Sequence, residues 1–253
     1  MRLKIICLNI WIGGILFDEA VSFLKSQQPD IVLLQEAYNG EDSSLATQHR
    51  TYTALKEQLQ FPYSHFASAF LEELNGQYIQ QGNAILSKYP LEELAVVFYD
   101  EPFGVRDNRR AAFHQTPRNL QHVVVDVQDT KLHLLNTQGI WGKDGEDSPR
   151  RLAMSETILA EVGENAPLVL AGDFNLQPHT RTIKNIEAKL QNVFKNEAET
   201  SFNLQRKDLQ QFPGYATAVV DMFFVSPDVK IISKSMPQVD ISDHLPLVVE
   251  VAI

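Results

Sequence analysis

The sequence predicts a single-domain α/β (α+β) protein made of two β-sheets packed face to face with helices outside. Three observations predict it. About ten short runs rich in Val, Ile and Leu recur along the chain, bounded by Gly, Pro, Asn or Asp. Helical patterns fall between only some of them, and ten strands are too many for one short open sheet. No Ser/Gly linker, charge block or low-complexity stretch divides the 253 residues, so one domain is expected over 1–253.

The first strand is read over residues 3–10, where Cys7 shares a face with Leu3 and Ile5 and belongs to the core. A helix follows, with Asp18 as its cap, Ala20, Val21, Phe23 and Leu24 on one side, and Pro29 as its stop. Residues 31–35 are the second strand, and Leu45, Tyr52, Leu55 and Leu59 mark a second helix. Strands are expected at 83–87, 91–98, 121–127 and 132–137, the last pair joined by a hairpin turn at Gln128-Asp129-Thr130. Ser148 and Pro149 are an N-cap and first-position pair for a third helix carrying Leu152, Ile158, Leu159 and Val162. A strand at 168–171 precedes a fourth helix marked by Thr182, Ile183, Ile186 and Leu190, and strands at 219–225, 229–233 and 245–251 complete the series.

Composition narrows the function. With 22 basic against 32 acidic residues the net charge is −10, so a small phosphorylated molecule is favoured over a long polyanion such as nucleic acid. Cys7 is the only cysteine, which excludes an intrachain disulfide and fits a reducing, cytoplasmic location. The N-terminal apolar run is too short for a signal peptide, and no run approaches the roughly 20 apolar residues of a membrane helix.

Polar residues recur at strand ends. Asn9, Glu36, Asn136 with Gln138, and Asp173 with Asn175 follow apolar runs, whereas Asp221 and the Asp243–His244 pair precede theirs. Any one of these is explained by a loop beginning there. If the last strands run antiparallel to the first group, all gather at one rim, and together they suggest metal-assisted attack of water on a phosphoester.

The ordered set Leu8-Asn9-Ile10-Trp11, Leu34-Gln35-Glu36, Gly82-Asn83-Ala84-Ile85-Leu86-Ser87, Leu135-Asn136-Thr137-Gln138, Gly172-Asp173-Phe174-Asn175, Val220-Asp221-Met222-Phe223-Phe224-Val225-Ser226 and Ser242-Asp243-His244 resembles the endonuclease/exonuclease/phosphatase superfamily, the deoxyribonuclease I-like fold. The resemblance implies a four-layered α/β sandwich and a Mg²⁺- or Mn²⁺-dependent phosphoesterase or nuclease-like hydrolase. Glu36 would be the principal metal ligand with Asn9 beside it, and Asp243 would complete that site or support a second ion. Asp173 would orient and deprotonate the attacking water, and Asn175 would help hold that water or a phosphate oxygen. His244 would donate to the phosphoryl group or assist proton transfer, with Asp221 orienting its ring.

Gln138 departs from the family pattern, which usually has His at that position. Gln donates a neutral hydrogen bond but yields no proton, so catalysis is expected to weaken if the leaving group needs protonation. Trp11 stands where abasic-site endonucleases usually carry Asp, which argues against DNA repair. The alternative is a non-catalytic member that binds a phosphorylated ligand or a protein. Asn136 is expected to contact substrate. Arg106, Arg109 and Arg110 form a basic cluster, and with Arg118, Lys143, Arg150 and Arg151 they offer a phosphate-gripping rim, Arg109 and Arg118 foremost. The loop 139–148, with Trp141 and Lys143, is a candidate lid.

Overall fold

Strands buried on both faces carry near-continuous apolar runs, and β1 illustrates the rule. Leu3, Ile5 and Cys7 face the opposite sheet while Ile6 and Leu8 face helices. In the computed structural model the elements are, in chain order, β1 (Arg2–Asn9), α1 (Phe17–Gln27), β2 (Ile31–Asn39), α2 (Thr51–Leu59), β3 (Tyr63–Leu74), β4 (Gln77–Ser87), β5 (Leu91–Phe98), β6 (Asn119–Val127), β7 (Thr130–Gln138), α3 (Pro149–Val162), β8 (Leu168–Asp173), α4 (Arg181–Glu187), β9 (Gln191–Asn192), β10 (Asp221–Val225), β11 (Lys230–Ser235) and β12 (Leu247–Ala252). The structure describes all residues but 143, and the side chains of residues 93, 94, 110 and 111 are likewise not described. Lys143 of the expected lid and the Arg110 side chain of the basic cluster therefore lie outside the described residues.

Two six-stranded mixed sheets form, ordered β11-β12-β1-β2-β4-β3 and β5-β6-β7-β8-β10-β9. Leu3, Ile5, Cys7, Leu33 and Val249 of the first pack against Val125, Leu134, Val169 and Phe223 of the second. The outer face of the first sheet meets α1 and α2 through Leu8, Val21, Leu24 and Leu55. The outer face of the second meets α3 and α4 through Leu135, Met154, Ile158, Leu170 and Ile183. The result is the helix–sheet–sheet–helix sandwich expected. No helix of the described residues is long and apolar enough to cross a membrane.

Most expected elements form within a few residues of their expected limits. The hairpin turn places Gln128 and Asp129 at φ +51° and +69°, the backbone such a two-residue turn requires. Ser148 caps α3 by accepting from the Arg151 N–H at 3.3 Å. Asp18 does not cap α1. Leu16 holds the cap position without a side-chain bond, and Asp18 lies in the first turn with Glu19, where negative charge complements the helix dipole. Strand β3 is absent from the sequence reading because it is an edge strand, mostly half-buried and interrupted by a bulge between Ser68 and Phe70, so it lacks a Val/Ile run. Strand β9 is only two residues long.

Polar residues enter the space between the sheets at one end, and Asn136 is the key one. Its Oδ1 accepts from Gln35 Nε2 at 2.7 Å, and its Nδ2 donates to the carbonyls of Leu34 (3.0 Å) and Ala84 (3.1 Å) and to Gln121 Oε1 (3.1 Å). Fully buried and bonded at both ends, it staples one sheet to the other and presents no atom to substrate. This corrects the substrate-binding role expected of Asn136: the position two residues before a strand end lies inside the sandwich. Asn136→Leu is expected to lower stability by about 2–5 kcal/mol, because it strands several buried polar groups at once. Urea unfolding of both proteins checks this, and a loss below about 0.5 kcal/mol would contradict the staple.

Candidate active site

Strand pairing assembles the polar strand ends. β1 and β2 run parallel with Asn9 opposite Gln35, so Asn9 and Glu36 emerge together. β7 and β8 run parallel with Gln138 opposite Asp173. β10 lies antiparallel to β8 and sets Asp221 opposite Asp173. β12 lies antiparallel to β1, so Asp243 and His244, just before it, return to the same rim, where Ser242 Oγ donates to the Asn9 carbonyl at 2.6 Å.

The backbone there is strained. Trp11, Ile12, Glu36 and Asn175 adopt φ of +63°, +46°, +59° and +54°. Such conformations cost on the order of 1–3 kcal/mol each outside Gly and persist where surrounding contacts enforce them. At Glu36 the enforcement is visible: β2 bulges between Leu34 and Ala37, and the Ile12 N–H donates to Glu36 Oε2 at 2.8 Å. β7 and β8 also approach closely at Gly172, where a Cβ would lie 1.9 Å from the Thr137 carbonyl oxygen.

Two carboxylates from opposite sheets face each other across two side-chain amides. Asn9 Nδ2 donates to Glu36 Oε1 at 3.0 Å and to Asp173 Oδ2 at 3.1 Å. Gln138 Nε2 donates to Glu36 Oε1 at 2.8 Å and to Asp173 Oδ2 at 3.5 Å. The Asn175 N–H donates to Asp173 Oδ1 at 3.0 Å, and Asn175 Nδ2 donates to the Gly139 carbonyl at 3.1 Å. Burial, then repulsion from Asp221, pushes the Asp173 carboxyl up to about 6. Burial also opposes ionisation of Glu36, but the Asn9 and Ile12 N–H groups, with His244 and Arg118, outweigh it and hold that carboxyl below its ordinary range. Unequal environments thus separate two neighbouring acids.

Beside them, His244 Nδ1 meets Asp221 Oδ2 at 2.8 Å. Its Nε2 lies 3.9 Å from Asp243 Oδ1, a buried oxygen with no hydrogen-bond partner among the described residues. Burial alone would depress the imidazole, but Asp221 and Asp243 overcome it and raise the pKa to about 10. The other Asp243 oxygen accepts from Lys207 Nζ at 2.5 Å. Lys207 is absent from the sequence reading; it lies in the irregular segment before β10, and only tertiary folding reveals its partner.

Of the two expected arginines, one is near the site. Arg118 is close enough to Glu36 and Asp173 to influence both electrostatically, it lies over the Phe70 ring, and its buried Nε and Nη1 have no hydrogen-bond partner among the described residues. Arg109 is not brought in: its side chain is 82% exposed and pairs with Asp107, two residues away. Arg151 is spoken for structurally, since it binds the carbonyls of Ile140 (3.1 Å) and Asn175 (3.1 Å) and so pins the loop after β7. In that loop Trp141 packs edge-on against Phe113, and Ile140, Trp141, Asp144 and Glu146, together with His114 and Arg150, help line a cavity of about 480 Å³.

The His244 shift makes a measurable expectation. A pKa raised on folding contributes stability that is fully present below the ordinary value near 6.5 and is lost as pH rises through about 10. NMR titration in metal-free buffer is expected to find the His244 ring protonated at pH 8, and deprotonated in Asp221→Asn. A ring in the native chain titrating near 6.5 contradicts the charged triad.

Comparison with known proteins places this geometry. The sequence matches the Endonuclease/Exonuclease/phosphatase family over residues 9–244. No curated protein matches it. Among solved structures, an endonuclease/exonuclease/phosphatase from Bacteroides vulgatus superposes with a TM-score of 0.71 at 17% identity, covering 100% of this chain and 99% of that one. A mannosyl-6-phosphatase from Bacteroides thetaiotaomicron gives 0.70 at 14% identity, covering 99% and 100%. TDP2 of D. rerio, complexed with a single-strand DNA product, gives 0.66 at 19% identity, covering 100% and 99%. At these identities the structural likeness establishes the shared fold.

Proposed function

Because this chain belongs to the Endonuclease/Exonuclease/phosphatase family, whose members are generally hydrolytic on phosphoester bonds, we propose that it is a divalent-metal-dependent phosphoesterase acting on a small phosphorylated substrate. The observation that carries the reading is the meeting of the amide-bridged Glu36–Asp173 pair with the Asp221–His244 pair at one rim. The small substrate follows from the net charge of −10, which repels a long polyanion.

The donor set fits a hard cation. Among the described residues Glu36 and Asp173 accept hydrogen bonds from neutral N–H groups alone, and no cationic side chain touches either carboxylate. Among the described residues no group of three or more His, Cys, Asp or Glu side chains is placed to hold a metal ion, so an ion here would take its remaining ligands from water, as Mg²⁺ commonly does. Glu36 would hold it, with Asn9 beside it. Asp243, the third ligand expected from the sequence, already carries the Lys207 ammonium. When bound, the ion supplies Lewis-acid stabilisation of charge on the phosphoryl oxygens.

The chain's own groups divide the remaining work. Asp173 takes a proton from the attacking water; a carboxyl raised to about 6 is ionised at neutral pH yet more basic than a free one. Asn175 commits its amide nitrogen to Gly139, which leaves its carbonyl oxygen to hold that water. With Nδ1 engaged by Asp221, His244 donates from Nε2 to the phosphoryl or leaving-group oxygen. Arg118 brings unpartnered buried donors for a phosphate oxygen. Gln138 holds Glu36 in place and gives no proton, so leaving-group protonation falls to His244.

Mg²⁺-dependent hydrolysis of bis-p-nitrophenyl phosphate or p-nitrophenyl phosphate is expected, with a loss of about 10²–10⁴-fold in Asp173→Ala. Silence in the native chain with activity restored by Gln138→His would support the non-catalytic alternative. In thermal denaturation, Mg²⁺ is expected to raise Tm, and Glu36→Ala to remove the rise. Persistence of the full rise in Glu36→Ala would overturn the metal assignment.

A further inference from the structure

The four carboxylates of the site differ in what touches them. Asp221 has the His244 ring, and Asp243 has the Lys207 ammonium, whereas Glu36 and Asp173 have neutral N–H groups only. Charge compensation in contact is therefore complete at the Asp243 end and absent at the Glu36–Asp173 end.

Lys207 is built into its place. Its side chain is 11% exposed, and its Nζ lies 4.3 Å from the ring centre of Phe202 and 4.8 Å from that of Tyr215, an arrangement that favours a partly desolvated cation. Phe202 in turn packs on the His244 ring, with centroids 4.6 Å apart. The backbone of this segment is bonded to the His244 region: Asn203 N donates to the Asp243 carbonyl at 2.9 Å, and Leu245 N to the Ser201 carbonyl at 2.8 Å. A second divalent ion on the unpartnered Asp243 Oδ1 would meet the Lys207 ammonium on the other oxygen of the same carboxylate.

We infer that Lys207 serves as a fixed cation at Asp243, so that the site takes a single divalent ion at its Glu36–Asp173 end. The inference rests on the metal-dependent reading above. It makes Lys207 a positioning residue: it neutralises Asp243 beside His244 and reserves the ion for the side where water is activated.

Mn²⁺ binding, measured by calorimetry and by electron paramagnetic resonance at millimolar ion, tests this without reference to activity. The native chain is expected to bind one Mn²⁺. Lys207→Met, which keeps an apolar stem among the aromatic rings, is expected to bind two, and Lys207→Met with Asp243→Asn to return to one. Lys207→Gln gives the same comparison should the Met variant misfold. Two ions in the native chain, or one in both Lys207 variants, overturns the inference and leaves the phosphoesterase reading standing. No Mn²⁺ in the native chain overturns both.

Discussion

The site depends on the staple at Asn136. The amide engages Gln35, Leu34 and Ala84 of one sheet and Gln121 of its own, and this fixes the separation and register of the sheets at the end where the apolar core stops. Asn9 and Glu36 belong to one sheet; Gln138 and Asp173 belong to the other. Their hydrogen bonds across the gap tolerate displacements of only a few tenths of an ångström. A polar group fully bonded inside a low-dielectric layer specifies one arrangement, because any sliding leaves donors unpaired.

Above the staple the chemistry is a problem of crowded negative charge. Four acids, Glu36, Asp173, Asp221 and Asp243, lie around one rim. Burial penalises the ionised forms of Glu36 and Asp173, and repulsion from Asp221 and Glu36 adds to the cost at Asp173. His244, Lys207 and Arg118 offset part of this, each from a different direction and a different strand or loop. The left-handed backbone at Glu36 and Asn175 belongs to the same compromise, for it turns side chains toward the rim that an ordinary strand would direct elsewhere.

Much of this is legible in the sequence because strands deliver residues in a regular way. An apolar run ending in Asn9, Glu36 or Asp173 announces both a strand and the side chain it carries to the sheet edge. The motifs from Leu8-Asn9 to Asp243-His244 announce the family for the same reason. What escapes has physical causes. Asn136 and Gln138 share a side of β7, but a spacing of two residues separates the sealed interior from the open rim. Arg109 and Arg118 look alike in sequence, yet Arg109 finds Asp107 nearby and stays on the surface. Lys207 sits in a segment without periodicity, and its meaning comes from an acid 36 residues further along. The edge strand β3 lacks the apolar run because only part of it is covered.

The order of strands in the first sheet also governs when the site can exist. Central strand β1 is flanked by β2 and by β12, and its pairing with β12 joins Arg2 to Ala252. Contacts of such sequence separation form late and slowly, since the loop entropy is lost before the pairing compensates it. During synthesis β1 therefore waits with one edge open, and Asp243 and His244 arrive only with its last neighbour. Assembly of the polar rim and completion of the sheet therefore coincide, so an incompletely folded chain carries exposed edges but no assembled rim.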